Sequence, residues 1–309
     1  MDSTTSENVR TLRPTATTAT ASSLKPELPH HALHPLPEEP VVIIEPSKSW
    51  VALNLRDLWA YRELFYFLIW RDLKVRYKQT VLGVAWVIMQ PLLMTITFTV
   101  FLGMLARVPS DRIPYPLFVY AGLMPWTFFS NAILNSGNSI VGNAHLITKV
   151  YFPRMIVPAA AIGARLVDFG IAFIILVGLM FYYRVAVTWS ILMLPALVVL
   201  ISLFSLGFGL WTSAINVKYR DIGIALPVLI QLWMFVSPVV YPLSIVPAEW
   251  QWLYALNPLA GIIDGFRASL FNRGFNWWAL GISVVATVGL LIYSAFTFKR
   301  MEKNFADLV

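Results

Sequence analysis

Long stretches without a charged side chain dominate the chain. Five of them cover residues 81–106, 113–144, 185–217, 222–248 and 274–298, and a sixth, 155–183, is interrupted only by Arg165 and Asp168. A hydrocarbon core about 30 Å thick is crossed by roughly 20 helical residues, so this pattern predicts an all-α membrane protein with six transmembrane helices. Pro91, Pro125, Pro195, Pro227 and Pro238 fall inside these segments. Membrane helices keep such prolines where neighbours re-satisfy the freed carbonyls, so kinks are expected there, not ends.

Two further segments fit neither a span nor a tight loop. Residues 56–79 place an apolar, aromatic centre, LFYFLIW, between charged flanks that include Arg71, Lys74, Arg76 and Lys78. Seven apolar residues cannot cross a bilayer. The pattern predicts an amphipathic helix along the inner interface, rings at headgroup depth and cations toward anionic lipid. A plain surface anchor accounts for it, and so does a gate helix whose basic residues meet the phosphates of a lipid-linked substrate. Residues 243–275 are broken by Pro247, Asn257-Pro258 and Gly261. They read as two short helices, 249–256 and 259–271, folded back at Asn257-Pro258 and dipping into the outer leaflet. Trp250, Trp252, Tyr254, Asp264 and Arg267 in this stretch line an exit or sit in the aromatic belt.

Residues 1–49 lack Phe, Trp and Tyr and are crowded with Thr, Ser and Pro, which predicts a disordered cytoplasmic tail. No secretory signal is expected, because no basic start leads into an apolar run. His30, His31 and His34 read as a solvated cluster. The expected organisation is therefore a tail (1–49), an interface helix (50–80), a six-span domain (81–298) with its external re-entrant segment (243–275), and a cytoplasmic C-terminus (299–309).

Composition agrees: 58% of the 309 residues are hydrophobic and only 13% charged, which no water-soluble surface tolerates. The formal charge of +7 is unevenly spread, since residues 1–49 carry 4 basic and 6 acidic side chains and the basic excess belongs to the membrane part. Placing the N-terminus inside sets eleven basic residues near the inner ends of the spans against five near the outer ends. Both termini are expected on the cytoplasmic side.

The search for chemistry excludes more than it finds. There is no cysteine, and without a Gly-Lys dipeptide there is no P-loop. Neither an HExxH zinc motif nor a G-x-S-x-G elbow occurs. His145 has no orienting carboxylate nearby in sequence. Within the spans the one carboxylate is Asp168, three residues after Arg165, so the two share a helix face and are expected to pair. A structural ion pair and a pathway-facing polar site both fit. One carboxylate and one arginine make a poor proton relay. The cytoplasmic loops 143–158 and 216–223 are short, basic and aromatic; they dock a motor subunit or merely obey the positive-inside rule.

Four stretches resemble a known family. WRDLKVRYKQTVLGVAWVIMQPL (70–92), NVKYRDIGIALPVLIQ (216–231), SPVVYP (237–242) and NPLAGIIDGFR (257–267) are similar to the ABC-2 type permeases that export bacterial polysaccharides, including O-antigen, capsule and teichoic acid. The resemblance runs from about residue 56 to the C-terminus; the long N-terminal tail lies outside it. It implies a homodimer in the bacterial inner membrane, paired with two cytoplasmic ATPase subunits that hold ATP and Mg. This chain itself would bind no cofactor and perform no catalysis. The implied cargo is a polyprenyl-diphosphate-linked glycan, with O-antigen preferred, and membrane lipids are the remaining partner; nucleic acid is not one. Arg71, Lys74, Arg76 and Lys78 would belong to the family's gate helix, followed by its Leu82-Gly83 loop. Lys149, Tyr151 and Arg154, with Lys218, Tyr219, Arg220 and Asp221, would face the ATPases.

Aromatic side chains accommodate sugar faces and hydroxyls without the strong bonds that would stall a moving polymer. Candidates to line such a path are Phe98, Phe101, Tyr120, Trp126, Phe128, Phe129, Trp233, Phe235 and Tyr241, each of which could instead pack or face lipid. Rival readings are an ABC-2 permease for a drug or small lipid, a membrane-embedded glycosyl or phosphoglycosyl transferase, and a scaffold.

Overall fold

A computed structural model describes residues 59–78, 83–302 and 305. The expected tail, Leu82 and most of the last residues lie outside these. Every regular element among the described residues is helical. In chain order they are α1 (Arg62–Lys78), α2 (Gly83–Phe98), α3 (Tyr115–Gly142), α4 (Ala144–Lys149), α5 (Ile156–Tyr182), α6 (Leu194–Lys218), α7 (Asp221–Val236), α8 (Ala248–Ala255), α9 (Pro258–Phe271) and α10 (Trp277–Glu302). A π-helical segment, Thr99–Leu105, prolongs α2, and a 3-10 turn, Trp189–Met193, leads into α6.

Among the described residues five helices are long and apolar enough to cross a membrane: Ala85–Leu105, Tyr115–Gly142, Ile156–Tyr182, Trp189–Lys218 and Trp277–Glu302. The sixth expected segment behaves differently. α7 has 16 residues, about 24 Å at 1.5 Å per residue, and falls short of a 30 Å core. Hydropathy continues to residue 248, but Ser237 turns extended (φ −102°, ψ 144°) ahead of Pro238, as the residue before a proline is driven to do. Pro238 is therefore part of an end, not a kink. Pro195 likewise sits in the first turn of α6, where its missing N–H has no partner to lose. Pro91, Pro125 and Pro227 do lie inside helices.

α3 is the hub. Of its most apolar window 78% is buried, against 11% for the first span, so α3 is wrapped by neighbours while α2 presents most of its surface outward. α3 packs chiefly on α6 and α5, α10 on α6 and α9, and α1 on α5. Small residues let these helices approach, because apolar surface gains nothing by leaving lipid and close packing must supply the attraction. Gly209 of α6 lies against Ser136 of α3, Gly207 against Leu290, and Gly163 of α5 against Ile69 and Phe65 of α1. Gly103 of the π-helical segment abuts the Tyr115 ring.

α1 runs alongside α5, not across it. Ile69 meets Gly163, and Arg76, seven residues on, meets Asp168. The contacts advance in the same direction on both helices. Asp168 lies twelve residues into α5, about 18 Å from its start, so the C-terminal end of α1 is carried well up the bundle.

At Gly209 a Cβ would overlap Ser136 Oγ inside the α3–α6 interface. Gly209→Ala should cost about 1–3 kcal/mol of stability, read as a lowered melting temperature of detergent-solubilised protein; Gly170→Ala, where open space surrounds the site, should not.

Candidate functional site: a groove, a charge cluster and an arginine clamp

The pair anticipated within α5 is one part of a larger cluster. Arg165 Nη1 lies 2.9 Å from Asp168 Oδ2, and Arg76 Nη1 of α1 reaches the same oxygen at 2.6 Å. The Tyr77 hydroxyl donates to the other oxygen, Oδ1. Two arginines thus share one carboxylate oxygen. Of the other cations in α1, Arg71 pairs with its neighbour Asp72 at 2.8 Å, while Lys74 and Lys78 are exposed.

A cavity of about 210 Å³ opens on Arg76, Arg165 and Asp168. Its walls are Trp86, Phe128 and Phe169, with Gln90, Thr127 and Asn131 supplying neutral polar groups, and Gly83 lies at its edge. A second cavity of about 300 Å³ shares Gln90, Pro91, Thr127 and Asn131 and adds Trp126, Ser130 and Gln231. Together they form a groove between α2, α3, α5 and α7, charged at one end and mostly apolar along the rest, with neutral amides and hydroxyls set among the apolar side chains. The neutral polar residues were not among the expected site residues. Their signal was available, since an amide inside an apolar span needs a polar partner; a count of charges alone passes over it.

The aromatic candidates separate by position. Tyr120 and Phe129 are wholly buried. Tyr120 donates to the Ala172 carbonyl at 3.0 Å, and Phe129 stacks on Phe204 (5.5 Å between centroids) and meets Trp233 edge-on at 5.3 Å. These two are interior packing residues, out of reach of anything passing the subunit. Trp126 and Phe128 line the cavities, Phe98 and Trp233 are half-buried, and Phe101 and Phe235 are exposed. Tyr241 is held by its hydroxyl, which donates to Phe235 O and meets the Tyr254 hydroxyl.

At the opposite end Arg267 ties several segments together. Its side chain is 1% exposed, and it donates to the carbonyls of Pro238 (2.7 Å), Val239 (2.5 Å) and Phe118 (3.4 Å). The guanidinium carbon stands 3.7 Å above the Phe118 ring centroid. Asn257 caps α9 through the Leu259 N–H, accepts from Trp233 Nε1 and donates to Ser237 Oγ. The first and last residues of the stretch 257–267 thus grip the stretch 237–242. Arg267 is thus buried against the backbone left unpaired where α7 stops, and does not line an open path. Nearby, Asp111 joins Arg273 (2.9 Å) and Ser244 (2.7 Å).

At the other face, the loop residues expected to meet an ATPase divide in two. Lys149, Tyr151, Lys218, Tyr219, Arg220 and Asp221 are exposed. Arg154 is not free to join them: its backbone N–H donates to Glu302 Oε1 at 3.1 Å and its guanidinium to the Glu302 carbonyl, tying the loop to the end of α10. The α6–α7 turn is pinned from within. Asn216 Nδ2 donates to Gly137 O and to Asn138 Oδ1, both at 3.0 Å, and its Oδ1 accepts from the Gly223 N–H at 3.1 Å. Among the described residues no three His, Cys, Asp or Glu side chains come together to hold a metal.

The sequence model of the ABC-2 type transporter matches residues 63–271, from α1 through α9. The chain belongs to the ABC-2 type transporter family. Its relatives include the O-antigen export system permease protein RfbA of Myxococcus xanthus, 29% identical over 82% of this chain and 98% of the relative. The Klebsiella pneumoniae protein of the same name is 28% identical over 77% and 92%. The polysialic acid transport protein KpsM of Escherichia coli is 24% identical over 72% and 89%. This ABC-2 type transporter is therefore a multi-pass membrane protein whose relatives are transport permeases, not ATPases, and the groove and the Arg267 clamp lie inside the matched region.

Truncating Arg267 leaves three carbonyls without their donor. Arg267→Ala should destabilise the protein by about 3 kcal/mol or more, and Arg267→Lys, a point charge where a planar fork is needed, should recover only part of it. Thermal unfolding in detergent or nanodiscs measures both.

Proposed function

We propose that this chain is the permease subunit of an ATP-driven exporter that moves a polyprenyl-diphosphate-linked polysaccharide, O-antigen-like, across the bacterial inner membrane. The groove carries this reading: a paired charge cluster at one end suits an anionic headgroup, and neutral amides and hydroxyls between aromatic walls suit a chain of sugars. Sugars need hydrogen bonds that break easily, and uncharged groups provide them. That RfbA is an O-antigen export permease and KpsM a polysialic acid transport protein supports the cargo.

In this reading α7 serves as the short sixth span, α8 and α9 form the re-entrant pair on the outer side, α1 is the gate helix, and both termini are cytoplasmic. Two copies enclose the path, each presenting its α2 and α7 surfaces. Energy comes from two ATPase subunits seated on the loops at 149–151 and 218–221. Pinning by Asn216 supports that role, because a turn bonded rigidly to α3 transmits a push into the bundle where a floppy one would absorb it.

The test is reconstitution of the chain with its ATPase in vesicles, expecting nucleotide-dependent translocation of the lipid-linked glycan; translocation without nucleotide would refute it. Replacing the exposed Arg220 with Ala should weaken ATPase docking about tenfold, the equivalent of one charged contact worth roughly 1.4 kcal/mol, and leave the melting temperature unchanged. Arg154→Ala should instead lower the melting temperature, measured on the same preparations.

A further inference from the structure

We infer that Asp168 is an internal stand-in for the substrate's diphosphate, holding the anion seat formed by Arg76 and Arg165 until the headgroup displaces it. The inference rests on the lipid-diphosphate reading of the cargo and adds a residue, Arg165, from a helix outside the gate helix.

Both guanidinium groups converge on one carboxylate oxygen. Bidentate arginine recognition suits a carboxylate and a phosphate alike, so a site that holds the first is already shaped for the second. Arg165 Nε is buried without a hydrogen-bond partner, a donor that Asp168 leaves unused. The cavity opens onto the same three side chains, giving an incoming anion direct access. A carboxylate offers one charge and two oxygens; a diphosphate brings more charge and more acceptor oxygens, and so competes successfully where a monophosphate or an alcohol does not. Asp168 thereby acts as a specificity determinant, raising the threshold that any headgroup must exceed.

Displacement also has a mechanical consequence. The Arg76–Asp168 contact joins the C-terminal end of α1 to α5, and its loss on headgroup arrival loosens that end while the Tyr77–Asp168 hydrogen bond stays in place. Tyr77 keeps its donor for Asp168, so the displaced carboxylate is not left bare.

The experiment uses the full chain in nanodiscs and titrates farnesyl diphosphate, farnesyl monophosphate and farnesol, following the fluorescence of Trp86 at the cavity wall, with a Trp86→Phe control to isolate its signal. Wild-type protein should bind in the order diphosphate, monophosphate, alcohol. Asp168→Asn should tighten monophosphate binding by about tenfold or more and narrow the preference for diphosphate; Asp168→Glu should restore it, and Arg165→Gln should abolish diphosphate binding. Equal affinity of the wild-type protein for all three probes, or no binding of any, overturns the inference even if Asp168→Asn proves too unstable to assay. Unchanged affinity in Asp168→Asn with a lowered melting temperature also overturns it, showing a structural ion pair only. The export reading is separate, standing or falling with nucleotide-dependent translocation.

Discussion

A charge inside a bilayer costs about 3 kcal/mol on insertion scales unless another charge meets it, and that constraint organises this protein. Asp168 is met twice, by Arg165 from its own helix and by Arg76 from α1. Because the second partner comes from another element, pairing the charge also fixes where α1 lies, drawing its C-terminal end alongside α5. The cavity that results is bounded by charge at one end, by aromatic rings at its sides and by neutral amides beyond. A single electrostatic requirement thus positions the helix, shapes the opening and sets its chemistry.

The opposite end solves a backbone problem with the same economy of parts. α7 stops short at Val236, and the extended segment after it exposes carbonyls that no helix satisfies. Arg267 takes Pro238 and Val239 while reaching Phe118 on the central helix, and Asn257 takes Ser237. The result is a segment fastened to α3, the helix that also receives Asn216 from the opposite turn. α3 is held at both ends, which suits an element against which others move.

Hydropathy made the five long helices legible, and the i, i+3 spacing made the Arg165–Asp168 pair legible. Turn chemistry at Asn257-Pro258 likewise gave the break between α8 and α9 to within a residue. The partnership of Arg76 with Asp168 was not visible, because 92 residues separate them and no periodicity links positions on different helices. The end of α7 was missed because SPVVYP is as apolar as the helix it terminates; Pro238 marked the place, but a membrane proline reads equally well as a kink. Tyr120 and Phe101 looked alike in sequence, since a helix apolar on every side does not declare which face is buried. Packing decides between them: α3 is enclosed and α2 is not.

Photo-cross-linking during stalled export tests the central assignment most directly. A photoreactive residue in place of Asn131, within the groove, should label the lipid-linked glycan when the ATPase is trapped before release, while one in place of Ile174, exposed on α5 and away from both cavities, should not. Labelling at Ile174 with none at Asn131 would show that the glycan travels elsewhere, and the groove would lose its role.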